Sequence, residues 1–188
     1  MTKPWDRPSN VKLRSFSKSL PMSLLLAREA VMQRFRTSLH LFNITEQQWR
    51  VLRALSSINE IEVTALAKVT YLLTPSLSRI LKDIEARGFI IRRSAPEDMR
   101  RALISISPMG LKVIDAVAPY SEGIYGEIYQ AFGKERMDHL QQLLKELTET
   151  LNALPPITYN GTELSDELNE IVFGNSRRRP RVDVLEEQ

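Results

Sequence analysis

Residues 62–88, EVTALAKVTYLLTPSLSRILKDIEARG, constrain the fold of this chain more than any other stretch. Two short amphipathic runs are separated only by Tyr71, Leu72 and Leu73, and so short a connection brings two helices into contact as a helix-turn-helix. In the first run Val63, Leu66, Ala67 and Val69 share one side. Thr74 reads as the cap of the second, Pro75 as its first residue, where a missing N–H costs nothing, and Gly88 as its end. Leu77, Ile80, Leu81 and Ile84 form the buried stripe of that second helix, leaving Pro75, Ser76, Ser78, Arg79, Lys82 and Asp83 exposed.

The flanking segments extend this unit. Residues 1–20 mix proline, serine and basic residues without a sustained period and read as an arm. A helix follows from Pro21, with Leu24, Val31, Phe35 and Leu39 at helical spacing. Thr45 with Gln48 makes a capping box at the head of a second helix. After Gly88, the β-branched runs FIIRR and ALISIS flank SAPEDMRR, which predicts a hairpin with a long, basic loop. A long helix then starts at Pro108 with a bend expected near Pro119, and a sixth carries Met137, Leu140, Leu144, Leu147 and Leu151 on one stripe. Pro155-Pro156 stops it. The chain thus divides into an arm over 1–20, a folded domain over 21–154 whose core at about 45–107 holds the helix-turn-helix and hairpin, and a tail over 155–188 with little periodicity.

Composition narrows the function classes. The chain has no cysteine, so disulfides and thiolate chemistry are excluded, and its two histidines, His40 and His139, stand in no metal-ligand spacing. There is no glycine-rich phosphate loop and no recognisable catalytic constellation, so neither an enzyme nor a cofactor is expected. No apolar run is long enough to span a bilayer, and no signal-peptide pattern opens the chain, so a cytoplasmic location without membrane contact is expected. The net charge is only +3, but Lys3, Arg7, Lys12, Arg14 and Lys18 face a single acid in the first 20 residues, and RRRPR occupies 177–181.

In a helix-turn-helix the second helix enters the major groove. Ser76, Ser78 and Arg79 offer short polar groups and one guanidinium suited to base edges, and Lys82 suits a phosphate. Any amphipathic helix also turns polar residues outward, so this face alone does not decide the matter. The hairpin that follows adds Arg92, Arg93, Arg100 and Arg101 as a second cationic contact. A nonspecific nucleic-acid-binding or protein-interaction module, using the basic ends for electrostatic affinity alone, is the competing reading.

Arg28 lies four residues after Leu24 and three before Val31, on the apolar stripe of the first helix. A guanidinium there needs an acceptor, either a nearby acid in a salt bridge or the carboxylate of an aromatic ligand. The leucine stripe of the sixth helix and the apolar positions of the fifth exceed what one small winged domain can cover, which predicts a homodimer.

The stretch LAKVTYLLTPSLSRILKDIEARGFIIRR, then Asp98, Met99 and Arg100 as a D-x-R motif, then SISPMG, resembles the MarR family (multiple antibiotic resistance regulators) over roughly residues 20–154. AREAVMQRFR and ITEQQWRVLR further resemble the first two helices of its homoprotocatechuate-degradation repressor subgroup. The resemblance implies a mainly α protein with a small β-hairpin, a dimeric winged helix-turn-helix that represses by binding double-stranded DNA at a palindromic operator. It implies DNA contacts from Pro75, Ser76, Ser78, Arg79 and Lys82, with Arg100 in the minor groove, Asp98 orienting it and Arg101 beside it. It also implies release by a phenolic or aromatic carboxylate effector held between the first two helices and the wing domain. Ser23, Arg28, Trp49 and Arg50 are the candidate ligand residues, although Trp49 suits the core better than a ligand contact.

Overall fold

The computed structural model describes residues 15–95 and 98–156, and for Met99 and Arg100 the backbone alone. The basic arm up to residue 14 and the tail from 157, including RRRPR, lie outside the described residues. Six helices are described: α1 (Leu20–Leu41), α2 (Glu46–Ser56), α3 (Val63–Thr70), α4 (Thr74–Ala86), α5 (Pro108–Phe132) and α6 (Lys134–Asn152). Three strands, β1 (Ile61–Glu62), β2 (Ile90–Ala95) and β3 (Asp98–Ile106), form one antiparallel sheet in the order β1-β3-β2. The chain forms two compact units, Met1–Met137 and Asp138–Gln188.

In the first unit α2, α3 and α4 close around a core that includes Val51, Leu52, Leu55, Leu66, Leu77, Leu81 and Ile84, with Leu39, Ile104, Ile114 and Val117 supplied by α1, β3 and α5. The stripe expected on α4 is therefore the face that packs. On α3 the buried positions are Leu66, Ala67 and Thr70, while Val69 is 53% exposed. Helical geometry explains the difference from expectation: 63, 66, 67 and 70 share a face, and Thr70 is tolerated inside because its hydroxyl donates to the Leu66 carbonyl at 2.6 Å. On α1 only Phe35, Ser38 and Leu39 are buried, so the apolar stripe stays uncovered at Leu24 and Val31 within a single chain.

Helix ends set the angles. Thr45 and Gln48 form the expected capping box, with the Thr45 N–H donating to Gln48 Oε1 at 2.8 Å and the Gln48 N–H to Thr45 Oγ1 at 3.2 Å. The cap of α4 is Leu73 rather than Thr74, which is already helical, and no side chain caps its first N–H groups. Three helices end on a left-handed residue, Asn43 after α1, Tyr71 after α3 and Gly88 after α4. At Gly88 the Phe89 N–H donates to the Ile84 carbonyl and the Gly88 N–H to that of Glu85, the paired bonds of a Schellman stop.

The wing differs from the expected long loop. Most of SAPEDMRR is strand, because Arg92, Arg93 and Ser94 pair with Ile104, Leu103 and Ala102, with a register shift between Ser94 and Ala95. The short strand β1, opposite Leu103 and Ile104, had no periodic signal at two residues' length. Where α4, β2 and α5 meet, the Ser107 hydroxyl donates to the Gly88 carbonyl at 2.6 Å and accepts from the Gly110 N–H at 2.9 Å. A Cβ on Gly110 would lie 2.1 Å from the Phe89 carbonyl oxygen, so only glycine fits this approach.

The described part of the second unit is most of α6. Leu140, Leu143, Leu144 and Leu151 on it are exposed in the single chain. Among the described residues no helix is long and apolar enough to cross a membrane, and no cluster of His, Asp and Glu is placed to hold a metal ion.

Candidate DNA interface and ligand cavity

The outer face of α4 carries Pro75, Ser76, Ser78, Arg79 and Lys82, all exposed. Neither Arg79 nor Lys82 forms an ion pair with a described carboxylate; Asp83 instead accepts from Gln48 Nε2 at 2.6 Å. The first turn of this helix therefore presents uncapped N–H groups beside free cations, a pattern suited to phosphate and base edges. Leu77, Leu81 and Ile84 anchor the opposite face, so the polar residues are held outward by the core.

The wing is less cationic than its sequence suggests. Arg92 pairs with Glu85 at 3.1 Å, Arg93 with Glu60, and Arg101 with Glu62. Hydrogen bonding from Arg93 holds the Glu60 carboxyl below its usual range, and Arg93 is raised in turn. Two of the three acids precede or lie in β1, and the sheet order brings them across to the wing. Asp98 opens β3, and the backbone of Arg100 continues it; the side chain of Arg100 lies outside the described residues.

A second site lies behind the helix-turn-helix, in a cavity of about 370 Å³ between α1, α2 and α5. That size suits a small organic molecule. From α1 come Arg28, Val31, Met32 and Phe35; from α2, Glu46, Trp49, Arg50 and Arg53; from α5, Ala118, Ser121, Glu122 and Tyr125. Phe35 and Tyr125 meet edge to face, ring centres 5.3 Å apart. Helical spacing accounts for the α2 wall: 46, 49, 50 and 53 form one i, i+3, i+4, i+7 face.

Glu46 organises the charges. Its side chain is 8% exposed, yet three guanidinium groups reach it: Arg28 and Arg50 at Oε1, Arg36 at Oε2. Arg50 lies 2.9 Å from Oε1, and Arg36 lies 3.0 Å from Oε2 while also bonding Glu29 at 2.8 Å. Hydrogen bonding from Arg36 leads the influences holding the Glu29 carboxyl below its usual range; Arg28 adds to them. Arg28 is 43% exposed and paired with both Glu29 and Glu46, so its expected acceptor is supplied by the protein, and the cation is not buried.

Of the four ligand candidates, Arg28, Trp49 and Arg50 line the cavity. Ser23 is not among the lining residues; its hydroxyl donates to the Ser19 carbonyl one turn back, at 3.2 Å. Sequence reasoning missed Glu46, Arg53 and Tyr125, and of these Arg53 bears most on an anion. It lines the cavity with no carboxylate partner among the described residues, and its signal was its place one helical turn after Trp49. The lining holds Arg28, Arg50 and Arg53 against Glu46 and Glu122, which leaves one net positive charge beside three aromatic rings, Phe35, Trp49 and Tyr125.

Comparison with known proteins adds to this geometry. The sequence profile of the MarR family matches residues 44–102. The HTH-type transcriptional regulator FarR of Neisseria gonorrhoeae is 35% identical over 136 residues, 72% of this chain and 93% of FarR. The homoprotocatechuate degradative operon repressor of Escherichia coli is 36% identical over 128 residues, 68% of this chain and 86% of the repressor. Among solved structures, NadR in complex with 4-hydroxyphenylacetate is 33% identical with a TM-score of 0.67, covering 73% of this chain and all of NadR.

Proposed function

From the premise that this chain belongs to the MarR family, and is a transcription regulator rather than an enzyme, we propose that it is a homodimeric repressor of an aromatic-compound catabolic operon, released from a palindromic operator by a small aromatic acid. Arg53, without a carboxylate partner among the described residues and in a cavity that also holds Trp49 and Tyr125, carries this reading. Anion, ring and fork-shaped donor match there: a planar carboxylate accepts two N–H bonds from one guanidinium, and the aromatic walls take the ring. Two relatives support the ligand class, since one represses homoprotocatechuate degradation and NadR holds 4-hydroxyphenylacetate.

DNA is read by α4 through Ser76, Ser78 and Arg79, with Pro75 exposed at the entry of the helix and Lys82 on a phosphate. Asp98, Arg100 and Arg101 place the wing in the adjacent minor groove. Dimerisation covers the apolar positions left open on α1, α5 and α6, including Leu24, Val31, Leu140 and Leu144. Two recognition helices then meet half-sites about one helical turn apart. An effector releases DNA only if it binds the two dimer geometries with different affinity.

The test is a titration of DNA from upstream of the protein's own gene, with and without hydroxylated benzoates, phenylacetates and cinnamates. Specific protection of two half-sites, relieved by one such acid and not in Arg53→Ala, is the expected result. Specific binding that no acid relieves removes the effector from this account, and binding without sequence preference favours a nonspecific module.

A further inference from the structure

Of the arginines lining the cavity, Arg28 reaches carboxylates on α1 and α2, and Arg53 pairs with none that is described. Arg50 alone among them also reaches the helix-turn-helix. Its Nη2 donates to Glu46 Oε1 at 2.9 Å, and its Nη1 donates to the Thr70 backbone carbonyl at 3.2 Å. Thr70 ends α3, and its carbonyl is one of the acceptors a helix C-terminus leaves without an internal partner. A cation there also meets the negative end of the helix dipole. The next residue, Tyr71, is held left-handed at φ 51°, a conformation costly for a side chain of this kind, and α4 begins three residues later.

We propose that Arg50 couples the cavity to the recognition helix, sharing its guanidinium between Glu46 in the wall and the Thr70 carbonyl at the start of the turn. This rests on the cavity being an anion site. Arg28 and Arg50 already compete for the same Glu46 oxygen. An incoming carboxylate gives both a new partner, and the bond Arg50 gives up most readily is the longer one, to a neutral carbonyl. With that bond gone, the left-handed turn at Tyr71 loses its brace and α4 its fixed setting against α2. The ligand thus gains its additional ion pair with Arg50 only in the state with Arg50 withdrawn, the differential affinity a switch requires.

The experiment uses the full-length protein with Arg50→Met, which keeps the aliphatic stem, and Arg50→Lys, which keeps the charge but lacks the fork. Circular dichroism selects whichever folds. Operator affinity is measured without and with saturating 4-hydroxyphenylacetate, alongside calorimetry of the acid and amide exchange over Tyr71–Leu77. Wild type should lose operator affinity by roughly 5- to 150-fold at saturation, the usual span of an allosteric coupling. Either variant should still bind the acid through Arg53 yet shift operator affinity by less than about twofold. Its turn amides should exchange faster than wild type in the absence of acid. A variant that binds the acid more weakly but responds fully at saturation overturns the coupling, because Arg50 is then only a ligand contact. If wild type binds no aromatic acid, the effector reading fails separately, and the exchange data alone judge the brace: unchanged protection over Tyr71–Leu77 overturns it too.

Discussion

The cavity wall and the wing are built from the same pair of residue types and use them in opposite ways. In the wall one buried carboxylate, Glu46, is shared by three arginines. In the wing three arginines each have one acid on the surface: Arg92 with Glu85, Arg93 with Glu60 and Arg101 with Glu62. Burial of Glu46 makes the first arrangement structural, because removing the shared anion leaves three partly solvated cations facing one another with nothing between them. Exposure makes the second exchangeable, since a surface pair contributes little and a DNA phosphate can replace its acid at small cost. The same chemistry is thus a clasp in one place and a reserve of positive charge in the other.

The largest effect expected from this contrast is that of Glu46→Gln, which should lower unfolding free energy in urea by about 2 kcal/mol, below the full cost of breaking a buried pair because its arginines are partly solvated. A loss under about 0.5 kcal/mol would erase the distinction between wall and wing. Glu62→Gln comes next. Freeing Arg101 should change stability by at most about 1 kcal/mol. Operator affinity should rise, and the slope of its logarithm against log salt should steepen by less than about one. No gain in operator affinity would mean that Arg101 never meets phosphate.

The smallest effect is in acid. Glu29 and Glu60 both have carboxyl pKa values below the ordinary 4.5, the first mainly through Arg36 and the second through Arg93. A carboxyl with a folded value below its unfolded one adds stability above the unfolded value and loses it as pH falls through the folded value. Stability should therefore decline below about pH 4.5. Glu60→Gln should flatten that decline more than Glu29→Gln, because Arg36 keeps Glu46 when Glu29 is lost, whereas Arg93 has no second acid among the described residues. Equal flattening would show that sharing an arginine confers no protection.

Local signals made most of the fold legible. The Thr45 capping box, the Leu77–Leu81–Ile84 stripe and the Gly88 stop are each written within a few residues and reappear in the structure. What sequence could not show depended on distant pairing. Strand β1 exists because β3 lies beside it, and Glu60 and Glu62 became partners of the wing only through that contact. Arg28 was legible as a cation in need of an acceptor, but its partner Glu46 stands on another helix. Arg53 went unnoticed because a solvated arginine on a polar face and one lining a cavity look alike until α5 closes the third side. Val69 misled because it is apolar, while Thr70 satisfied its own hydroxyl and took the buried place.

The junction at Gly110 has a mechanical consequence. With no room for even one methyl group between α5 and the Phe89 carbonyl, and with Ser107 bonded on both sides, the wing and the first turn of α5 cannot slide past each other. The corner behaves as a weld, and α5 as the arm fixed to it. At 1.5 Å per residue that arm is about 37 Å long, so a tilt of about 5° at its far end carries the wing through about 3 Å. In the dimer proposed above, adjusting the distance between two DNA-reading surfaces then requires no rearrangement within either of them, only a small change in the angle of these arms.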